Sequence, residues 1–261
     1  MFRYLVLMKE WWSRRRIKAA QFVFLVGAMK SGTSSLGRAM ARHADIAVGM
    51  AKEPQYFVTH NPLVDSPSGY LENWKARDLK ARYLLDASTG YSKFPNFGDS
   101  AGLIADATKG AKIIYIMRDP IKRIESQVAH NVTRGRLDIE RYEARHNHDF
   151  YHHYLITSSY AAQLKQYSQR FPKADMLLLS FEDMLAEPNE TLTQVWQFLD
   201  LEPLAAESEF NHRNARRSVP QEFEGPILSD AIKAYLHDAL AADMAELSST
   251  WGVDTTKWGF K

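Results

Sequence analysis

The stretch Phe22 to Leu36, FVFLVGAMKSGTSSL, runs from five apolar residues into a turn holding Gly27, Lys30 and Gly32, and then into Thr33, Ser34 and Ser35 at the opening of a helical pattern. A short β-branched and aromatic run bounded by glycine predicts a buried parallel strand. The turn predicts a phosphate cradle. Gly27 and Gly32 permit a backbone that brings amide N–H groups close to an anion, and the helix adds its free N-terminal donors and positive dipole end. Lys30 supplies the countercharge.

Gly27 and Gly32 have the glycine spacing of the Walker A loop, G-x-x-x-x-G-K-[ST]. The match fails after Gly32, where Thr33 stands in place of lysine and the lysine lies two positions earlier. Three readings stay open on these residues: a Walker-type kinase or GTPase without its lysine, a plain strand–turn–helix joint, and a third carried by resemblance. GAMKSGTSSL resembles the 5′-phosphosulfate loop of sulfotransferases that use 3′-phosphoadenosine-5′-phosphosulfate (PAPS). That likeness implies that Lys30, Ser31, Gly32, Thr33 and Ser34 bind the phosphosulfate and that Lys30 also serves the chemistry.

The chain has 261 residues, 45% of them hydrophobic, enough to bury a full core. A net charge of +2 gives no whole-chain field for nucleic acid, so any anion site must be local. Cysteine is absent, which excludes disulfides, thiolate metal ligands and a cysteine nucleophile, and suits a reducing, cytoplasmic setting. Residues 1–20 mix aromatic residues with Arg14, Arg15 and Arg16. Their apolar run, Tyr4 to Met8, is far short of a transmembrane span, and the arginines lie on the wrong side of it for a secretory signal. The expectation is a helix packed on the domain with Trp11 and Trp12 buried; the alternative is peripheral contact with an anionic membrane. Residues 21–261 are expected to form one domain.

Beyond the loop, a helix is predicted over Ser34 to Ala44, with His43 a satisfied residue near its end. Ile46 to Val48 reads as a short strand leading into AKEPQYF. Lys52-Glu53-Pro54 followed by aromatics resembles the second signature of carbohydrate-type sulfotransferases, which implies Glu53 as general base. A carboxylate within reach of an acceptor hydroxyl or amine can take its proton. The bland alternative is a loop carboxylate paired with Lys52, and His60 is the rival base. Between Asn61 and Lys80, an aromatic-bearing insertion with Tyr70, Leu71 and Trp74 at helical spacing is expected to touch the acceptor. Tyr83 to Leu85 then reads as a strand, and Asp86, Ser88, Thr89 and Tyr91 approximate the family's next loop, with Asp86 where glutamate is usual.

AKIIYIMRDPIKRIESQVAHNV places a continuous apolar run, Ile113 to Met117, before Asp119-Pro120, an N-cap and first-turn proline. Ile121, Ile124, Val128 and Val132 give the buried helical face. The pattern Arg-Asp-Pro-x-x-Arg-x-x-Ser resembles the family's 3′-phosphate motif, which implies that Arg118 and Ser126 bind that phosphate. An arginine fork matches it bidentately. A Walker B reading, with Asp119 on magnesium, conflicts with the aspartate's capping place.

His146, His148, His152 and His153 match no zinc spacing, so no metal is assigned. In SSYAAQLKQYSQRFPKADMLLLSFEDM, Tyr160 is expected either to face the nucleotide or to be a core tyrosine, and Met176 to Leu179 reads as a strand. Arg213, Arg216 and Arg217 are either a basic loop over the nucleotide or an ordinary turn. Ala231 to Leu247 is an amphipathic helix. Together these predict an α/β domain, an open parallel sheet flanked by helices in a P-loop-like sulfotransferase arrangement. The function implied is sulfuryl transfer from PAPS, without a required metal, to a carbohydrate, lipid or small natural product; a nucleotide kinase and a non-catalytic nucleotide-binding scaffold are the alternatives.

Overall fold

The computed structural model describes residues 2–58, 66–74, 80–204 and 226–261, the first five of them through their backbone alone. In chain order the elements are α1 (Phe2–Ala19), β1 (Phe22–Gly27), α2 (Thr33–Met40), β2 (Ile46–Val48), α3 (Pro67–Leu71), β3 (Tyr83–Asp86), α4 (Ser100–Ala107), β4 (Lys112–Met117), α5 (Pro120–Thr133), α6 (Ile139–Glu143), α7 (His152–Ser158), α8 (Tyr160–Ser168), β5 (Met176–Ser180), α9 (Phe181–Ala186), α10 (Pro188–Leu199) and α11 (Asp230–Trp251).

The five strands form one parallel sheet in the order β2-β3-β1-β4-β5. Every residue of β1 is buried, which explains its unbroken apolar run: a parallel strand covered on both faces has no solvent side. Its alternate residues serve two cores. Phe22, Phe24 and Val26 pack with α1, α5, α8 and α11 on one face, and Val23 and Leu25 pack with α2, α9 and α10 on the other. From β1 the chain runs to the edge at β2, returns to β3 beside β1, and then crosses to β4 and β5 on the other side. That reversal leaves a crevice at the carboxyl ends of β1 and its neighbours, where ligands of such sheets bind.

Two expectations need correction, the extent of the helix after the loop and the burial of Trp11 and Trp12. The helix predicted over Ser34 to Ala44 is α2, ending at Met40 with Ala41 as C-cap. His43 lies beyond it, buried, its Nδ1 accepting from the Asp45 N–H and its ring 5.1 Å from that of Trp196. The insertion's Tyr70 and Trp74 are core residues, 0% and 3% exposed. Tyr70 donates to the buried carboxylate of Asp86 at 2.9 Å, alongside Tyr91 at 2.8 Å and the Ser88 hydroxyl. Burial is the main influence on Asp86 and raises its pKa to about 6 despite those three donors. Finally, Trp11 and Trp12 are 51% and 55% exposed, because α1 seats itself through Ser13 and Ile17 on the opposite side.

Candidate active site

At the carboxyl end of β1 the chain cannot carry a side chain. A Cβ on Gly27 would lie 2.0 Å from Ser92 Oγ and 2.8 Å from the Tyr115 ring, so the loop that follows is pressed against its neighbours. Lys30 and Gly32 then take left-handed backbone, φ 72° and 86°. Two arginines hold the loop's carbonyls: Arg118 Nη1 donates to Lys30 O at 3.2 Å and Arg123 Nη1 to Met29 O at 3.4 Å. The N-cap of α2 is Gly32, which has no side chain to offer, so the first-turn N–H groups keep their donors for another acceptor. Ser31 and Thr33 are buried, while Gly32 and Ser34 are half-buried at the helix start. Lys30 is half-buried too, and its pKa is held below that of an ordinary lysine, first by burial and then by the charges of Arg118, Lys52, Arg134 and Arg123.

β4 delivers Arg118 to the same place. The expected cap is present, with Asp119 accepting from the Ile121 and Lys122 N–H groups at 2.9 and 3.2 Å and Pro120 opening α5. The Asp119 carboxylate is thus occupied by capping. Arg118 lies 4.8 Å over the Phe181 ring, a cation–π contact that orients its plane. Tyr160 does not face outward: its ring is fully buried and its hydroxyl donates to the Arg118 carbonyl at 2.7 Å, bracing the strand end from behind. Ser126 is half-buried, two turns along α5.

Three residues that the sequence reading assigned no role to join this group. Arg123 is completely buried, donating to Ser158 Oγ at 2.7 Å, Tyr154 O at 3.1 Å, Gln127 Oε1 and the loop carbonyl. All four acceptors are neutral, and among the described residues no carboxylate pairs with it. Lys93 is 8% exposed, its Nζ 3.5 Å from Met29 Sδ and 4.8 Å from the Phe97 ring centre. Burial lowers its pKa; Glu53 opposes that, and Arg123 and Arg136 reinforce it. His130, one turn beyond Ser126, is pushed down to about 4 by burial and by Lys30, Arg134, Arg136 and Lys52, so it is neutral at physiological pH.

Glu53 stands in the β2–α3 connection. Its Oε2 accepts from Thr89 Oγ1 at 3.1 Å and Gln55 Nε2 at 3.4 Å, and its Oε1 lies 3.8 Å from Lys52 Nζ. Thr89 comes from the short turn after β3, so two strand-end segments meet here, and Lys93 at the end of that turn reaches Met29 of the loop after β1. Beside Pro54, the residue after Glu53, an open cleft of about 430 Å³ is lined by Met50, Ala51, Pro54, Gly69, Tyr70, Glu72 and Asn73. His60, Arg213, Arg216 and Arg217 lie outside the described residues. Of the histidine cluster, His148 stacks on Tyr235 at 3.9 Å and His153 contacts Asn96 at 3.3 Å. Among the described residues no three metal-capable side chains converge.

The arrangement is chemically specific: an uncapped helix start and several cations gather about one loop, with the Glu53 carboxylate oriented by Thr89 and Gln55 at their margin. Such a donor set fits a multiply charged anion whose reacting end lies near a base.

Comparison with known proteins gives this geometry a context. A profile described as "Sulfotransferase family" matches residues 63–205, more than half of the chain. Human heparan sulfate glucosamine 3-O-sulfotransferase 3B1 is 27% identical over 197 residues, covering 71% of this chain and 47% of that protein. The chain thus spans about half the length of the curated relatives it matches. Among solved structures, the sulfotransferase from Alicyclobacillus acidocaldarius superposes with a TM-score of 0.67 at 24% identity, covering 92% of this chain and 98% of that one. Mouse sulfotransferase SULT7A1, solved in complex with PAP, superposes at 0.50 with 13% identity over 88% of each chain. At these identities the structural matches establish the fold. Together with the profile match, they identify the chain as a member of the sulfotransferase family.

Proposed function

We propose that the protein transfers a sulfuryl group from PAPS to an acceptor hydroxyl or amine. The observation that carries this reading is the convergence of Lys30, Arg118, Arg123 and Lys93 on the uncapped loop before α2, with Glu53 held beside it by Thr89. When bound, PAPS supplies an activated sulfuryl group and an adenosine 3′,5′-bisphosphate leaving group. The profile match begins at residue 63, after the loop and Glu53, so the roles of those residues rest on their geometry and motifs.

In this reading the N–H groups of Gly32, Thr33 and Ser34 and the Lys30 ammonium bind the 5′ end, and Lys30 meets the charge that develops on the departing oxygen. Arg118 and Ser126 bind the 3′-phosphate, while Tyr160 braces Arg118 and makes no ligand contact. Arg123 fixes the loop's carbonyl side and adds a buried positive charge. Glu53 takes the acceptor's proton, and Thr89 orients it. Lys93, dry and close to Met29, adds field at the reacting end. A sulfuryl group carries one negative charge where a phosphoryl group carries two, so these fixed cations suffice without a metal requirement. The acceptor is a carbohydrate, lipid or small natural product, with the cleft beside Pro54 as its entry.

The test is calorimetric titration with adenosine 3′,5′-bisphosphate against ADP, with and without magnesium. Clear preference for the bisphosphate without magnesium supports the reading. Magnesium-dependent preference for ADP replaces it with a nucleotide kinase. Bisphosphate binding with no turnover on any acceptor class would leave a nucleotide-binding scaffold.

A further inference from the structure

The most exposed apolar face of the described structure belongs to α1. Leu7, Met8, Trp11 and Trp12 are 63%, 42%, 51% and 55% exposed. At 3.6 residues per turn they fall within a sector of about 140°, and Ser13 and Ile17, which face the domain, point the opposite way. The helix is therefore already anchored when its outward face is counted. Glu10 accepts from the Ser68 N–H at 3.1 Å and Lys9 pairs with Glu72 at 2.9 Å, both at the side of α1 that meets α3.

The outward face changes character along its length. From Leu7 to Trp12 it is apolar and aromatic; beyond them stand Arg14, Arg15, Arg16 and Lys18, all exposed. Among the described residues no carboxylate pairs with these four cations. Arg15 lies 4.8 Å over the Trp11 ring, and Trp11 and Trp12 meet edge to face at 5.1 Å, so the aromatic pair sits where the two stretches join. Tryptophan at the boundary between an apolar and a cationic band is the pattern of a helix lying in a membrane interface, with rings at headgroup depth and cations on lipid phosphates. A parallel two-fold pairing of this face would set the two clusters of arginine near one another.

We propose that α1 docks the protein on an anionic lipid surface, Trp11 and Trp12 entering the interface and Arg14, Arg15, Arg16 and Lys18 engaging the headgroups. The consequence reaches the site: Glu72, held by Lys9 of α1, also lines the cleft beside Pro54. Docking would bring that cleft to the membrane flank of the molecule, where an acceptor carried by a lipid would be presented.

The experiment is co-sedimentation of the full chain with phosphatidylcholine vesicles, with and without about 30% phosphatidylglycerol, at low and high salt. Binding is expected only to the anionic vesicles and should fall as salt rises. Replacing Arg14, Arg15 and Arg16 together by glutamine should weaken it about a hundredfold, and Trp11→Ser with Trp12→Ser at least about tenfold. Circular dichroism and adenosine 3′,5′-bisphosphate binding should be unchanged in both variants, so a folding defect, or a failure of the enzymatic reading, is told apart from loss of docking. Equal binding to neutral and anionic vesicles, no binding to either, or full binding by both variants would overturn the proposal. So would a concentration-dependent dimer in light scattering that the tryptophan variant abolishes, which would make this face an interface between two copies.

Discussion

Arg118 allows the nucleotide assignment to be tested with one substitution and two ligands. In Arg118→Ala two interactions go. The first is the proposed fork on a 3′-phosphate, a charge-assisted contact worth about 2 kcal/mol at a partly buried site. The second is the 3.2 Å bond to Lys30 O, which holds the loop for any ligand at the helix start and is worth about 1 kcal/mol. Adenosine 3′,5′-bisphosphate uses both, so its affinity should fall by about 3 kcal/mol, roughly 150-fold. Adenosine 5′-phosphosulfate, which lacks the 3′-phosphate, uses only the brace and should lose about fivefold. Arg118→Lys keeps the charge without the fork and should fall between these values for the bisphosphate. Titration calorimetry on both ligands gives the ratio directly. Equal losses for the two would show that Arg118 only braces the loop, and the 3′-phosphate would have to be bound elsewhere.

Other consequences follow from the same geometry. Glu53→Gln should cut turnover on an unactivated acceptor by about 10²–10⁴ while leaving bisphosphate affinity near normal, and His60→Ala should do much less; the reverse order would make His60 the base. Lys93→Met, similar in volume and uncharged, should lower turnover by about 10² with bisphosphate affinity changed less than about threefold, and unchanged turnover would restrict Lys93 to packing. Gly27→Ala should cost about 2 kcal/mol in urea denaturation, because its Cβ would meet Ser92 Oγ at 2.0 Å. Burial raises Asp86 from 3.8 to about 6, so its contribution to stability is complete below the lower value and lost as pH rises through the upper one. Asp86→Asn, which cannot titrate, should therefore be penalised by about 2 kcal/mol more near pH 4.5 than near pH 7.5, and a penalty independent of pH would refute this.

The elements that could be read from the sequence are those whose environment is uniform. β1 and β4 are covered on both faces, so they appear as unbroken apolar runs, and Asp119-Pro120 marks its helix start by local chemistry alone. The orientation of α1 was not legible in this way. Its apolar residues point both to the domain, as Ile17 does, and away from it, as Trp11 and Trp12 do, so no single stripe names the buried face. Arg123 and Gln127 look like surface positions by residue type. They are one turn apart on the inner side of α5 beside Ile124 and Val128, and the fold makes them an internal polar rung. Lys93 gives no signal in the sequence: its burial depends on the turn after β3 folding back over the loop that follows β1, a contact between segments more than sixty residues apart.

These hidden cations bear on how the site works. A buried arginine surrounded by neutral acceptors costs several kcal/mol of desolvation that no ion pair among the described residues returns. The fold keeps it against the carbonyl of Met29, next to a helix start without a cap and beside a lysine whose charged form is already disfavoured. Positive potential is thus held in place before any ligand arrives, and the low dielectric that makes it costly also makes it effective. An anion that enters restores the balance and strengthens in turn the loop contacts that Arg118 and Arg123 make. On the proposed reading, the cost borne in the free protein becomes affinity and transition-state stabilisation in the complex, since dipoles and charges already in place need no reorganisation at the moment of transfer. Glu53 is kept at the margin of this field, hydrogen-bonded to Thr89 and Gln55; on the proposed reading it would accept the acceptor's proton there without neutralising the cations that meet the leaving group.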